Sequence, residues 1–131
     1  ADDLAALAAL LADPDAPLVT LVGPGGVGKT RLALQAAADA LEAFPDGAWF
    51  VGLGPVADPA LVLPAIAETL GVREGSGRSL EDQLAGYLAD RTLLLVLDNL
   101  EHLPEASADL ADLLAGCPDV KVLATSRRPL A

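Results

Sequence analysis

The sequence predicts a doubly wound α/β fold, a mostly parallel sheet with helices packed on its faces. Three observations predict it. Short apolar, β-branched runs alternate with Ala- and Leu-rich helical stretches along the whole chain. One run, LLLVL at residues 93–97, has five apolar residues without a polar break, the pattern of a strand covered on both faces. The stretch GPGGVGKT, residues 23–30, fits the phosphate-binding spacing G-x-x-x-x-G-K-[ST] and lies between an apolar run and a helical one.

In chain order, Asp2 and Asp3 are placed to cap a short helix over residues 4–12, apolar nearly all round and so expected to pack on something. ADPDAP, residues 12–17, reads as a turn-rich linker. LVTLV, residues 18–22, reads as a buried strand. Residues 31–44 contain no Gly or Pro and read as a helix that stops near Phe44-Pro45. Asp46-Gly47 is a turn, and AWFVGL, residues 48–53, is a second strand. Trp49 and Phe50 then point to opposite faces, and Trp49 reads as packing surface rather than a base-stacking platform.

Asp58-Pro59 has the form of an N-cap followed by Pro at the first helical position. The helix it opens should stop at Gly71, with Pro64 kinking or delaying it. REGSGR, residues 73–78, reads as a flexible loop. Ser79 with Asp82 loosely resembles a capping box for a helix to about Asp90. A third strand covers residues 92–99. Pro104 starts another helix that ends at Gly116-Cys117-Pro118, and a fourth strand covers residues 120–127.

The glycine-rich stretch carries the chemistry. Gly23, Gly25, Gly26 and Gly28 let the backbone turn where a Cβ would obstruct it, so that successive N–H groups converge on an anion. Pro24 and Val27 fill the variable positions, and the helix beyond adds its unpaired N–H groups and positive dipole end. Lys29 supplies a mobile charge for β- and γ-phosphates, Thr30 a hydroxyl for a phosphate-bound Mg²⁺, and Arg31 extends the cofactor-binding stretch.

In a doubly wound sheet ligands bind beyond the carboxyl ends of the strands. Asp98, an acid at the end of an apolar strand, has the form of the second phosphate-site motif, whose carboxylate holds Mg²⁺ through water. Alone, it would read as a turn or capping residue. Arg127 follows the fourth strand, where a cation reaches a γ-phosphate. Thr125 and Ser126 are placed to orient an attacking water. Glu101 lies three positions beyond Asp98 and is a poor candidate for an adjacent general base, while His102 reads as a surface or interface residue.

Composition bounds the partners. The 131 residues suffice for one domain, read as spanning residues 1–131 with an N-terminal helix and linker over residues 1–17. Hydrophobic residues make up 53% but aromatics only 3%, so Ala, Leu and Val must build the core. A net charge of −11 makes the chain a poor non-specific partner for nucleic acid or an anionic membrane. Against that acidic body Lys29, Arg31, Arg127 and Arg128 fall where they can gather at one site and suit a phosphate ligand. The single cysteine, Cys117, excludes an intrachain disulfide and agrees with a reducing, cytoplasmic compartment. No apolar run reaches the length of a membrane span, and no signal peptide is evident. The absence of any Met marks the sequence as a piece of something longer or a redesigned chain.

The segments GPGGVGKTRLA, FPDGAWFVGL, LLLVLDNLEHL and KVLATSRRPL together resemble the STAND class of P-loop ATPases. Within it they are most similar to the NB-ARC-like nucleotide-binding domains of bacterial transcriptional regulators of the AfsR and LuxR-like type. The resemblance covers residues 18–130, and its DN-x-EH and TSR-x-PL segments make it specific. It implies a three-layer αβα sandwich with strand order 5-1-4-3-2, hence 1-4-3-2 with a fifth strand expected beyond Ala131. It also implies ATP and ADP as ligands with Mg²⁺, slow hydrolysis, and a switch between an ADP-bound resting form and an ATP-bound signalling form. On its pattern residues 23–30 are the Walker A motif, Asp98 the Walker B acid, and Arg127 the arginine that contacts the γ-phosphate. A Gly-Arg-Glu segment that helps hold adenine should precede the first helix, and a helical domain and a winged helix should follow.

The functional expectation is therefore an ATPase switch domain of a larger signalling or transcription regulator. The alternative is an isolated or redesigned core that binds phosphate or nucleotide without turnover. A nucleotide or small-molecule kinase is weaker, because residues 73–78 are too short for a convincing lid. An apolar first strand left at the sheet edge predicts self-association.

Overall fold

The computed structural model describes residues 2–22, 27–54, 56, 58–73, 75, 77–99 and 105–126. In order they form α1 (Asp2–Ala12), β1 (Leu18–Val22), α2 (Val27–Asp39), β2 (Ala48–Gly52), α3 (Val62–Leu70), α4 (Leu80–Leu88), β3 (Leu93–Asp98), α5 (Ala106–Ala115) and β4 (Val120–Ser126). The four strands make one parallel sheet in the order β1-β4-β3-β2, as the resemblance implies. Every connection between its strands is a crossover, and the helices these carry cover both faces, giving three layers.

Alternation along the strands sorts the core into two halves. Leu93, Leu95 and Leu97 of β3 and Val120, Val122 and Ala124 of β4 face α3, α4 and α5. Leu94 and Val96, with Leu123, face the opposite way, onto α1 and α2. All six residues of β3 are buried, which explains its unbroken apolar run. On the α2 side the covering residues are Ala33, Ala36 and Ala37, so the helix lies close to the sheet without large side chains.

The punctuation read from sequence is mostly in place. Ser79 caps α4, its hydroxyl accepting from the Asp82 N–H at 3.1 Å. Gly71 closes α3 at φ 77°, a left-handed conformation that favours glycine. Trp49 packs against the α3–α5 core and donates Nε1–H to the Asp46 carbonyl at 3.0 Å, a packing role. Phe50, on the other face of edge strand β2, is 43% exposed.

Several boundaries move. α1 begins at Asp2, so Asp2 and Asp3 are in its first turn rather than ahead of it. α2 ends at Asp39 and is followed by a 3₁₀ turn, Leu41–Ala43, instead of running to Phe44. There the chain tightens so that Phe44 can turn inward beneath α2. Asp58 does cap, accepting from the Ala60 N–H at 3.0 Å, but what it opens is a 3₁₀ turn, Pro59–Leu61. α3 proper starts at Val62, which puts Pro64 in the first turn, where its missing N–H leaves no bond unmade. In the expected flexible loop Glu74 and Ser76 lie outside the described residues, while Gly75 and Arg78 form an antiparallel bridge and the Gln83 side-chain amide donates to the Gly75 carbonyl. Pro104 also lies outside them.

One residue the sequence reading gave no role holds α1 in place. Lys121 of β4 is 7% exposed and faces α1. Its Nζ donates to the carbonyls of Leu10 at 2.7 Å, Leu11 at 2.9 Å and Asp13 at 2.6 Å. The last turn of α1 has no basic residue of its own, and this lysine from another element satisfies its open carbonyls. Burial lowers the Lys121 pKa, and the charge of Asp13 works in the opposite direction.

Candidate functional site

Because the sheet is parallel, β1, β4 and β3 end side by side at one edge. β1 leads from there into residues 23–26 and α2, β3 ends on Asp98, and β4 ends on Thr125 and Ser126. The strand order thus converts motifs far apart in the chain into neighbours.

Parity decides which way each side chain faces. Asp98 shares the face of Leu94 and Val96, and Thr125 that of Lys121 and Leu123, so both turn toward α2. On α2, Thr30 precedes Ala33 by three residues and Ala37 by seven, which puts it on the helix face that packs on the sheet. A slip of one residue in β3 would point Asp98 at the opposite layer.

The side chains meet. The Thr30 hydroxyl donates to Asp98 Oδ1 at 2.8 Å across a sequence separation of 68 residues. The Thr125 hydroxyl donates to the same Oδ1, also at 2.8 Å, and accepts from the Asn99 N–H at 3.0 Å. The Leu53 N–H donates to the Asp98 carbonyl at 2.9 Å, tying the end of β3 to the chain just beyond β2. Asn99 leaves the strand at φ 65°, the left-handed conformation that Asn tolerates better than most residues. Its side-chain Nδ2 lies 3.4 Å from Asp98 Oδ2, a marginal contact. Asp98 itself is 9% exposed.

Of the residues expected from sequence, Thr30 and Asp98 are therefore brought together at 2.8 Å. Lys29 is half-buried in the first turn of α2, Gly28 is exposed, and Arg31 is exposed one position past the inward-facing Thr30. Gly23, Pro24, Gly25 and Gly26, Glu101, His102, Arg127 and Arg128 lie outside the described residues, as does the Val27 side chain. Thr125 and Ser126 are buried, and the Thr125 hydroxyl is engaged with Asp98 and Asn99 rather than turned toward solvent. Among the described residues no three His, Cys, Asp or Glu side chains cluster to hold a metal. None of the described helices is long and apolar enough to cross a membrane.

Residues 13–125 match the family described as AAA domain. A putative HTH-type transcriptional regulator of Mycobacterium tuberculosis is 46% identical over 114 residues, covering 86% of this chain and 13% of that protein. The regulatory protein AfsR of Streptomyces coelicolor is 37% identical over 115 residues, covering 82% of this chain and 11% of that protein. The chain thus spans only a small part of these relatives. Among solved structures, Cdc6p of Pyrobaculum aerophilum superimposes with a TM-score of 0.66 at 24% identity, over 97% of this chain and 38% of that one, a likeness of fold. The match across residues 13–125, the phosphate-loop spacing and the β1-β4-β3-β2 sheet together place this chain in the AAA domain family, as a P-loop NTPase of the kind found in AfsR-like regulators.

Proposed function

We propose that the chain is a single nucleotide-binding domain that binds ATP and ADP with Mg²⁺ and serves as a regulatory switch within a larger transcription regulator. Family membership and the regulator relatives support nucleotide binding in such a protein. The observation that carries the finer reading is the 2.8 Å bond from Thr30 to Asp98, which joins the end of one phosphate-site motif to the acid of the other.

The donors suit the ion. A hydroxyl and a carboxylate are hard oxygen ligands, and Mg²⁺ is commonly held by one or two such groups together with phosphate and water. Bound there, the ion would neutralise charge on the phosphates. Thr30 and Asp98 would hold it. The amides of residues 23–28 would cradle the phosphates, Lys29 would pair with the β- and γ-phosphates, and Arg127 would read whether the γ-phosphate is present. Hydrolysis, by direct attack of water, would be slow. The wider STAND and NB-ARC assignment and a cytoplasmic location belong to this same reading.

One observation favours a second reading, nucleotide binding without turnover. The residue after Asp98 is Asn99, whose amide takes up no proton from water. Phosphate release measured with and without Mg²⁺ separates the two.

The binding claim is tested by calorimetric titration with ADP and a non-hydrolysable ATP analogue. Lys29→Ala should abolish binding while leaving the circular dichroism spectrum unchanged. Wild-type affinity in that variant would refute the site.

A further inference from the structure

We infer that Thr125 is a positioning residue for the Asp98 carboxylate, and that magnesium-dependent nucleotide binding relies on its hydroxyl. The inference rests on the reading of Thr30 and Asp98 as the magnesium pair.

A threonine hydroxyl has one proton to give and two lone pairs. In Thr125 the proton goes to Asp98 Oδ1 at 2.8 Å, and a lone pair takes the Asn99 N–H at 3.0 Å. With the residue 2% exposed, the group is committed inside the protein. This is not the placement of a residue that orients a water on the substrate, the role its place at the strand end suggests. Its two partners are the acid and the backbone bend that follows it.

Both bonds begin where the β3–β4 ladder stops. The last residues paired between β3 and β4 are Leu97 and Ala124; Asp98 and Thr125 still pair outward, with Gly52 and Leu21, but between themselves the two are joined by side chains rather than by the ladder. Asp98 turns about two side-chain bonds, and the ladder fixes neither of them. Thr125, β-branched and buried in a strand, has a stiff χ1 and so a fixed direction for its hydroxyl. One short bond transfers that direction to Oδ1. The second bond ties down the N–H of Asn99, the residue that leaves the strand in a left-handed conformation at φ 65°.

The two carboxylate oxygens end up unequal. Oδ1 accepts hydrogen bonds from Thr30 and Thr125, whereas among the described residues Oδ2 has only the 3.4 Å contact with the Asn99 amide. Oδ2 is the oxygen left with capacity for a further donor or a cation. Thr30 sits on the helix that follows the phosphate loop and, on the magnesium reading, would be shared with the ligand, whereas Thr125 sits on the central sheet and would not. The Thr125 bond therefore remains to hold the carboxylate when the Thr30 oxygen is engaged elsewhere.

The test compares ADP affinity in excess Mg²⁺ and in EDTA, by calorimetry on the 131-residue chain, for wild type, Thr125→Val and Thr125→Ser. Wild type should bind ADP more tightly with Mg²⁺. Thr125→Val should keep the EDTA affinity within about twofold and lose about tenfold or more with Mg²⁺, the scale of one hydrogen bond to a charged group. Thr125→Ser keeps the hydroxyl and should restore most of the Mg²⁺ increment. Should Thr125→Val not fold, Thr125→Cys, close in size and only a weak donor, takes its place with the same expected loss. A variant that keeps the full Mg²⁺ increment overturns the inference. So does one that weakens binding equally in Mg²⁺ and EDTA, because that is what a purely structural role would give. A wild type with ADP binding but no Mg²⁺ increment overturns the Thr30–Asp98 reading together with it, whereas loss of the increment in Asp98→Asn but not in Thr125→Val removes Thr125 alone.

Discussion

Replacing Lys121 by Met should loosen α1 from the sheet and cost the protein a large part of its stability. The side chain keeps its length and most of its apolar stem, so the change removes chiefly the ammonium group. Three carbonyls, of Leu10, Leu11 and Asp13, lose donors at 2.6–2.9 Å. Hydrogen bonds to a charged donor are each worth about 1.5–3 kcal/mol net, and the three share one donor, so they do not simply add. Against them stands the desolvation of a charge in a residue only 7% exposed, which costs several kcal/mol and which Met does not incur. Water can reach part of the freed helix end. The balance is a loss of about 3 kcal/mol, which lowers the urea midpoint by about 1.5–2 M at an m-value of about 1.5–2 kcal/mol/M. The lysine also leaves a pH signature. Its folded pKa is lowered, so the unfolded chain binds more protons between that value and the ordinary 10.5. Stability should therefore rise as pH increases through that window, and this contribution is absent below the folded pKa. The Met variant should lack that rise. An unchanged urea midpoint, or a more stable variant, would show that the buried charge costs as much as its three bonds return.

Two other outcomes follow from features at opposite ends of the fold. Cys117 is buried against α4, its Sγ 3.8 Å from the Ala85 carbonyl, and burial pushes its thiol pKa up. Its reaction with a thiol reagent at pH 8 should be at least about a hundredfold slower in the folded chain than in urea, and rapid native labelling would contradict the packing. β1 pairs only with β4 among the described residues and carries Val22 at 45% exposure, so its outer edge is open to another strand. Sedimentation velocity should show concentration-dependent association of this chain, and a single monomer boundary at high concentration would refute it.

Local punctuation was legible because it depends on residues close in sequence. Ser79 caps α4 and Gly71 closes α3 because each bond runs within one turn. The end of α2 was not legible. Residues 35–43 contain no Gly or Pro and are mostly good helix formers, and it is the packing of Phe44 beneath α2 that accompanies the tightening into a 3₁₀ turn. Lys121 was missed for a related reason. In sequence it is one polar residue in an apolar strand, and its partners lie 108–111 positions away.

The alternating architecture, the crowding of small and glycine residues after β1, and the pairing of an apolar run with a terminal acid at Asp98 are written in the order of the residues. Those are matters of period and spacing, which a chain carries without knowing its neighbours. The meeting of Thr30, Asp98 and Thr125 at one carboxylate oxygen emerges only when the chain is folded. That needs strand order to put β4 between β1 and β3, register to level their ends, and parity to turn Asp98 toward α2. Each of these is set by burying two different apolar faces at once, which no short stretch of sequence can specify alone.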